Sequence, residues 1–203
     1  MNFNTPVLTS QALSSLTLHF AGSGLQHAPL LDRGNRRCIE HESSLLLKQR
    51  YQNMPFSLSH KHGLCVLASA TPHKPGVDLE WIKARDVRDL SAVFASDVEQ
   101  QWLAQQQDDL LAFYRLWTLK EALIKAFDLD FPGGLTQVGF ADIQGQRLLS
   151  PVSCAYFSAQ ISTHFMVSIV QPHASALSIR VIGTTHRDWR HMLSNCPYNF
   201  IHA

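Results

Sequence analysis

The pattern of apolar and polar positions divides this chain into strand-like ends and a helical middle. Leu16 to Phe20 alternates like a first strand, and residues 21–24 form a Gly-containing loop. Residues 36–51 space Cys38, Leu45, Leu46 and Gln49 as a helix does, and Pro55 closes that segment because the residue before a proline avoids the helical region. "FSLSH" is short and extended, "GLCVLASA" over 63–70 is a buried strand, residues 71–76 are a two-proline turn, and "VDLEWI" over 77–82 is another strand. Helices follow: 86–94, then a segment opened by the capping box Ser96-Asp-Val-Glu99, then a long helix from a cap at Asp108 to about Phe127. Phe131-Pro-Gly-Gly134 breaks the helical run. "QVGFADI", "VSCAYFSAQI", "HFMVSIVQ" and "LSIRVIG" read as strands, and residues 186–203 carry no clear assignment.

"SHKHGLCVLASATPH" and "STHFMVSIVQPH" both set Ser and His ahead of an apolar strand that ends in Pro-His, a weak sign of internal duplication. A chain of 203 residues is one domain or two small lobes sharing a core.

Charge changes the picture only regionally. The net charge is +1, so no global excess points to nucleic acid or a membrane. Residues 32–76 hold seven Lys/Arg against three Asp/Glu, and residues 77–146 hold six against twelve. A basic half beside an acidic half can grip an anion and a cation across a cleft. Cys38, Cys65, Cys154 and Cys196 lack metal-binding or C-x-x-C spacing, which suits reduced thiols. The first residues lack the basic start and apolar core of a signal peptide, so a cytoplasmic location is expected.

Three stretches carry candidate chemistry. In "GVDLE" (76–80), Asp78 and Glu80 fall on the same face of a strand, where two carboxylates repel unless a cation or proton intervenes. The plain alternative is the wet face of an edge strand. In "LWTLKEALIKAF" (116–127), Glu121 and Lys125 stand one turn apart. As a surface pair they would contribute only about 0.2–0.5 kcal/mol. Phe113, Leu116, Trp117, Leu119, Leu123, Ile124 and Phe127 instead predict a largely buried helix, on which a charge needs a partner, a metal or a ligand. In "PFSLSHKHG" (55–63), Ser59, His60 and Lys61 offer a hydroxyl, an imidazole and an amine to a phosphate, or form an ordinary polar turn.

Taken in order, Ser59-His60, Gly76-Val-Asp78-Leu-Glu80 and Trp117-x-x-Lys120-Glu121-Ala122-x-x-Lys125 resemble the motifs of the surfactin-type 4′-phosphopantetheinyl transferases. The resemblance covers residues 36–127 well and the later strands in pattern only. It implies an α+β fold of two pseudo-twofold-related lobes, each a small antiparallel sheet packed with helices. The lobes would span about 1–76 and 77–185, with a tail over 186–203, in a single domain. It implies a Mg2+-dependent transfer of 4′-phosphopantetheine from coenzyme A to a serine of an apo acyl or peptidyl carrier protein.

By the same resemblance, Asp78, Glu80 and Glu121 would hold magnesium. Glu121 would also accept the serine proton, Lys125 would stabilise the pyrophosphate, and Lys120 would lie near the same phosphates. Ser59, His60 and Lys61 would bind the adenosine end of coenzyme A, with Arg36 and Arg37 suited to its phosphate. A monomer is expected. One departure stands out: residues 1–31 hold no Lys or Arg, where members of the family often carry basic residues that touch coenzyme A. The alternatives are a non-catalytic coenzyme A or carrier-protein binding module on the same fold, and a two-carboxylate hydrolase, for which the four tryptophans are too few and too helix-bound.

Overall fold

The computed structural model describes residues 13–23, 27–183 and 201–202. Its first unit is β1 (Leu13–Gly22), α1 (Arg33–Arg50), β2 (Phe56–Lys61) and β3 (Leu64–Ala70). The second begins with β4 (Gly76–Trp81), passes through α2 (Val87–Phe94), α3 (Asp97–Ala104) and α4 (Asp109–Phe127), and ends with β7 (Cys154–Gln160) and β8 (Phe165–Pro172). Between α4 and β7 lies a two-strand ribbon, β5 (Gly139–Phe140) with β6 (Leu148–Leu149).

The two units share one topology: strand, helix, hairpin. β3 returns antiparallel to β1, and β8 returns antiparallel to β4. The sheets are ordered β2-β3-β1-β9 and β10-β7-β8-β4, where β9 is Ala176–Gly183 and β10 is Ile201–His202. The duplication hinted at by the two Ser/His stretches is thus visible in the strand order. β9 follows the second hairpin in sequence yet runs parallel to β1, with Leu16 opposite Ile179. β9 thus lies in the stretch 77–185 expected as the second lobe while its ladder belongs to the first sheet.

Strand alternation explains the layering. Leu16, Leu18, Leu64 and Val66 of the first sheet meet Val77, Leu79, Phe165 and Val167 of the second in one shared core. On the outer face of the first sheet, Cys65 and Leu67 pack under Leu47 of α1 and Tyr51, its C-cap. On the outer face of the second, Tyr156, Met166 and Val170 pack under Leu116, Leu119 and Leu123 of α4. Val77 and Leu79 turn inward, so the pleat turns Asp78 and Glu80 toward α4.

The helix caps follow the sequence closely. The Ser96–Glu99 capping box forms in both directions, and the Asp108 carboxylate accepts from the Leu111 N–H. α1 starts at Arg33 rather than 36 because the Asp32 carboxylate accepts from the Asn35 N–H. "QVGFADI" extends for only two residues. Beyond them the Asp142 carboxylate accepts N–H bonds from Gln144, Gln146 and Arg147, and the chain wraps around it.

Candidate functional site in the seam between the two sheets

β2 and β4 face each other along the seam without joining one ladder; serine side chains tie them instead. The Ser57 hydroxyl accepts from the Val77 N–H at 3.2 Å. The Ser59 hydroxyl accepts from the Leu79 N–H at 3.2 Å and donates to Asp78 Oδ1 at 2.9 Å. α4 lies over this seam because Gly76 and Ala122 are small. A Cβ on Gly76 would stand 1.8 Å from the Ala122 carbonyl oxygen, so any larger residue would push the helix off the strand. That close approach sets Glu121 and Lys125, on either side of Ala122, above Asp78.

Charged groups collect there. Lys125 Nζ lies 2.7 Å from Asp78 Oδ1, and Lys61 Nζ lies 2.8 Å from Glu80 Oε2. Glu121 does not pair with Lys125 as a surface i,i+4 pair would. Burial raises its carboxyl above the ordinary carboxylate range, the charge of Asp78 adds to this, Lys125 opposes it, and Glu80 and Lys61 contribute in turn. Three carboxylates and two ammonium groups thus share one partly buried seam, with Glu121 the least compensated member.

Asp78 Oδ2 is buried and has no hydrogen-bond partner among the described residues, although Oδ1 takes two. A buried carboxylate oxygen without a donor is costly unless a cation completes it. The donor set suits a hard divalent ion, which takes oxygen ligands and needs only one or two carboxylates beside substrate phosphates. Among the described residues no group of three or more His, Cys, Asp or Glu side chains is placed to hold a metal ion, so Asp78, Glu80 and Glu121 do not converge as the three-ligand set expected from the sequence.

The remaining residues singled out in the sequence separate into two further places. Ser59 and His60 are adjacent on a pleated strand and point to opposite faces. Ser59 is buried against Asp78, whereas His60 is half exposed, with Nδ1 3.4 Å from Glu40 Oε2 on α1. The serine–histidine motif is therefore not one binding unit: Ser59 orients a carboxylate, and only His60 is open to solvent. Arg36 donates to His62 Nδ1 at 2.6 Å, and Arg37 is exposed on the same helix. Glu40 Oε1 accepts from the Gly63 N–H at 2.8 Å, fixing the hairpin turn against α1. Arg36 and His60 thus flank the seam around Glu40, while Arg37, next along α1, points about 100° away from Arg36.

Lys120 is the clear correction. Expected beside the phosphates, it is 1% exposed and donates to Glu99 Oε2 at 2.5 Å, with Glu99 also 1% exposed. The other Glu99 contacts close the site: Ser96 N–H at 2.8 Å and Phe140 N–H at 3.0 Å. Gly139, at φ +138°, leaves room for that carboxylate, since a Cβ there would meet Glu99 Oε1 at 1.8 Å. Successive residues on a helix point about 100° apart. Lys120 and Glu121 therefore cannot both face the seam, and the apolar layer under α4 takes Lys120.

Two features were not read from sequence. His62 and His164 stack on either side of Trp81, at ring-centroid distances of 4.2 and 4.6 Å, where β4 ends. Burial, followed by the Arg36 charge, lowers the His62 imidazole below its ordinary range. Thr118 and Ser158 both bond the Ser168 hydroxyl at 2.7 Å, pinning α4 to the strand beside Asp78. The repeated Ser/His pattern suggested duplication of the two stretches, but neither the histidine pair nor the tryptophan between them.

With this geometry in place, comparison identifies the class. The profile of the 4′-phosphopantetheinyl transferase superfamily matches residues 74–178, just over half of the 203-residue chain, and this chain belongs to that superfamily. The match contains Asp78, Glu80, Glu121 and Lys125, while Ser59 and His60 lie outside it. The chain is 31% identical over 96 residues to a protein named 4′-phosphopantetheinyl transferase gsp from Aneurinibacillus migulanus, covering 43% of this chain and 40% of that protein. It is 43% identical over 51 residues to a putative 4′-phosphopantetheinyl transferase of Haemophilus influenzae, covering 25% of this chain and 22% of that one. The aligned stretches thus span less than half of either relative.

Proposed function

We propose that this chain transfers 4′-phosphopantetheine from coenzyme A to a serine of an apo carrier protein, releasing 3′,5′-adenosine bisphosphate. The observation that carries this reading is the seam itself: Asp78, Glu80 and Glu121 meet Lys61 and Lys125, and one Asp78 oxygen is buried without a donor. Asp78, with its donorless oxygen, and the neighbouring Glu80 and Glu121 would hold a magnesium ion shared with the substrate, and that ion would supply charge neutralisation on the diphosphate.

The protein's own groups do the positioning on which phosphoryl transfer depends. Ser59 holds Asp78 in one orientation through its hydroxyl. Lys125, on the open side of α4, is within reach of both Asp78 and an incoming phosphate oxygen, and can leave one for the other. Lys61 does the same beside Glu80. Glu121 is the group best placed to accept the proton of the attacking serine, directly or through a water, because no lysine is bonded to it. Arg36 and His60 beside the seam suit the phosphate at the adenosine end, with exposed Arg37 a further candidate on α1.

The test is intact-protein mass spectrometry of several apo carrier proteins after incubation with this protein, coenzyme A and Mg2+, with a chelator control. One added phosphopantetheine, lost with the chelator, supports the reading. Coenzyme A binding with no transfer to any carrier favours the non-catalytic module, and neither binding nor transfer overturns both.

A further inference from the structure

The duplicated topology brings together a second pair of histidines, away from the carboxylate seam. Each repeat ends its last hairpin strand in Pro-His: Pro72-His73 after β3, and Pro172-His173 after β8. These equivalent turns meet, and the His73 and His173 rings lie 4.2 Å apart, centroid to centroid, at an interplanar angle of 37°. Both residues are exposed. Among the described residues, neither ring has a hydrogen-bond or ion-pair partner, so each offers nitrogen lone-pair capacity to a ligand.

The backbones that carry these rings are held. The Gln171 amide, buried in the second repeat, donates to the His73 carbonyl of the first at 3.2 Å. The His173 N–H donates to the Ser153 carbonyl at 2.8 Å, and His173 adopts a left-handed φ of 59°. Few side chains other than Gly, Asn, Asp and His accept that conformation readily, and here it turns the ring onto its counterpart. The neighbouring Lys74 amine is already paired with Asp128, which tempers its repulsion of a cation.

We propose that His73 and His173 form a two-histidine site for a late first-row transition cation such as Zn2+ or Ni2+, with water completing its coordination. Imidazole nitrogen suits these ions, while Mg2+ demands oxygen, so the site differs in chemistry from the carboxylate seam. Zinc–imidazole bonds are about 2.0–2.1 Å long, so in the proposed site the two rings, now stacked 4.2 Å apart, swing apart until one nitrogen of each faces the ion. The bound ion would link the β3–β4 turn of one repeat to the β8–β9 turn of the other.

The experiment is calorimetric titration of tag-free, chelator-treated protein with ZnCl2 in excess Mg2+, alongside melting curves with and without zinc. Wild type is expected to bind one Zn2+ per chain and to melt higher with zinc present. His73→Ala and His173→Ala should each weaken that binding by about tenfold or more and remove the melting shift. His41→Ala, on the exposed face of α1, should change neither. The proposal is overturned if wild type binds no zinc, if both variants bind as wild type does, or if binding is lost only in His60→Ala or His62→Ala.

Discussion

Two lysines on one helix, five residues apart, each pair with a carboxylate brought from elsewhere in the chain, and the pairs do opposite things. Lys120 and Glu99 are both 1% exposed, and Glu99 accepts two further backbone bonds, so every partner is fixed. Lys125 is 29% exposed, and its partner Asp78 keeps a second oxygen without a donor. A closed pair has nothing left to offer a ligand, whereas an open one beside two more carboxylates has spare charge and room. The same residue types on α4 thus make a closed structural lock on one face and an open, partly exposed pair on the next.

The sharpest way to break this contrast is through activity. Asp78→Ala and Glu121→Ala should each lower transfer by about 10²–10³-fold or more while the fold persists, as read from carrier modification and circular dichroism. Near wild-type turnover in either would remove the seam from the mechanism. On the closed side the large effect should be on stability. Lys120→Ala leaves Glu99 buried without its cation, and denaturant unfolding should register a loss of about 3–5 kcal/mol. Lys120→Met combined with Glu99→Gln should cost less than the sum of the two single changes.

A smaller effect has the opposite sign. Glu121 is raised in the folded chain by burial and by its carboxylate neighbours, so its ionised form opposes folding. That penalty is present above the raised folded value and disappears as pH falls through the ordinary carboxylate range near 4.5. Glu121→Gln should therefore melt higher than wild type at pH 7–8, by about 1–3 °C, and lose this advantage near pH 4. An unchanged or lower melting temperature at pH 7–8 would contradict the strain assigned to the seam. The smallest effect concerns the outer patch. His60→Ala removes a half-exposed contact with Glu40 and should change stability by less than about 0.5 kcal/mol. It should raise the coenzyme A concentration needed for half-maximal rate; an unchanged dependence would free His60 from any role there.

Local rules read much of this molecule from its sequence. Asp108 and Ser96 cap the helices they were expected to cap, and the pleat that sets Asp78 and Glu80 on one face holds. The same pleat argument separates Ser59 from His60, which short-motif reading joins. What stayed hidden was long-range pairing. Nothing local says that Lys120 finds Glu99, because Glu99 is already accounted for as a capping residue, and the space it needs comes from Gly139. Nor does spacing place Lys125 on Asp78, 47 positions earlier, since that depends on Gly76 letting α4 settle onto β4.

The most direct measurement is a single mass-spectrometric time course of carrier modification by wild type, Lys125→Ala and Lys120→Met, at coenzyme A concentrations below and above saturation. The account predicts that Lys125→Ala is slow at every concentration. Lys120→Met should lose folded protein and stability, while its remaining folded fraction transfers at close to the wild-type rate with an unchanged coenzyme A dependence. If folded Lys120→Met instead requires much more coenzyme A, or Lys125→Ala matches wild type, the division between a closed structural pair and an open functional one is wrong.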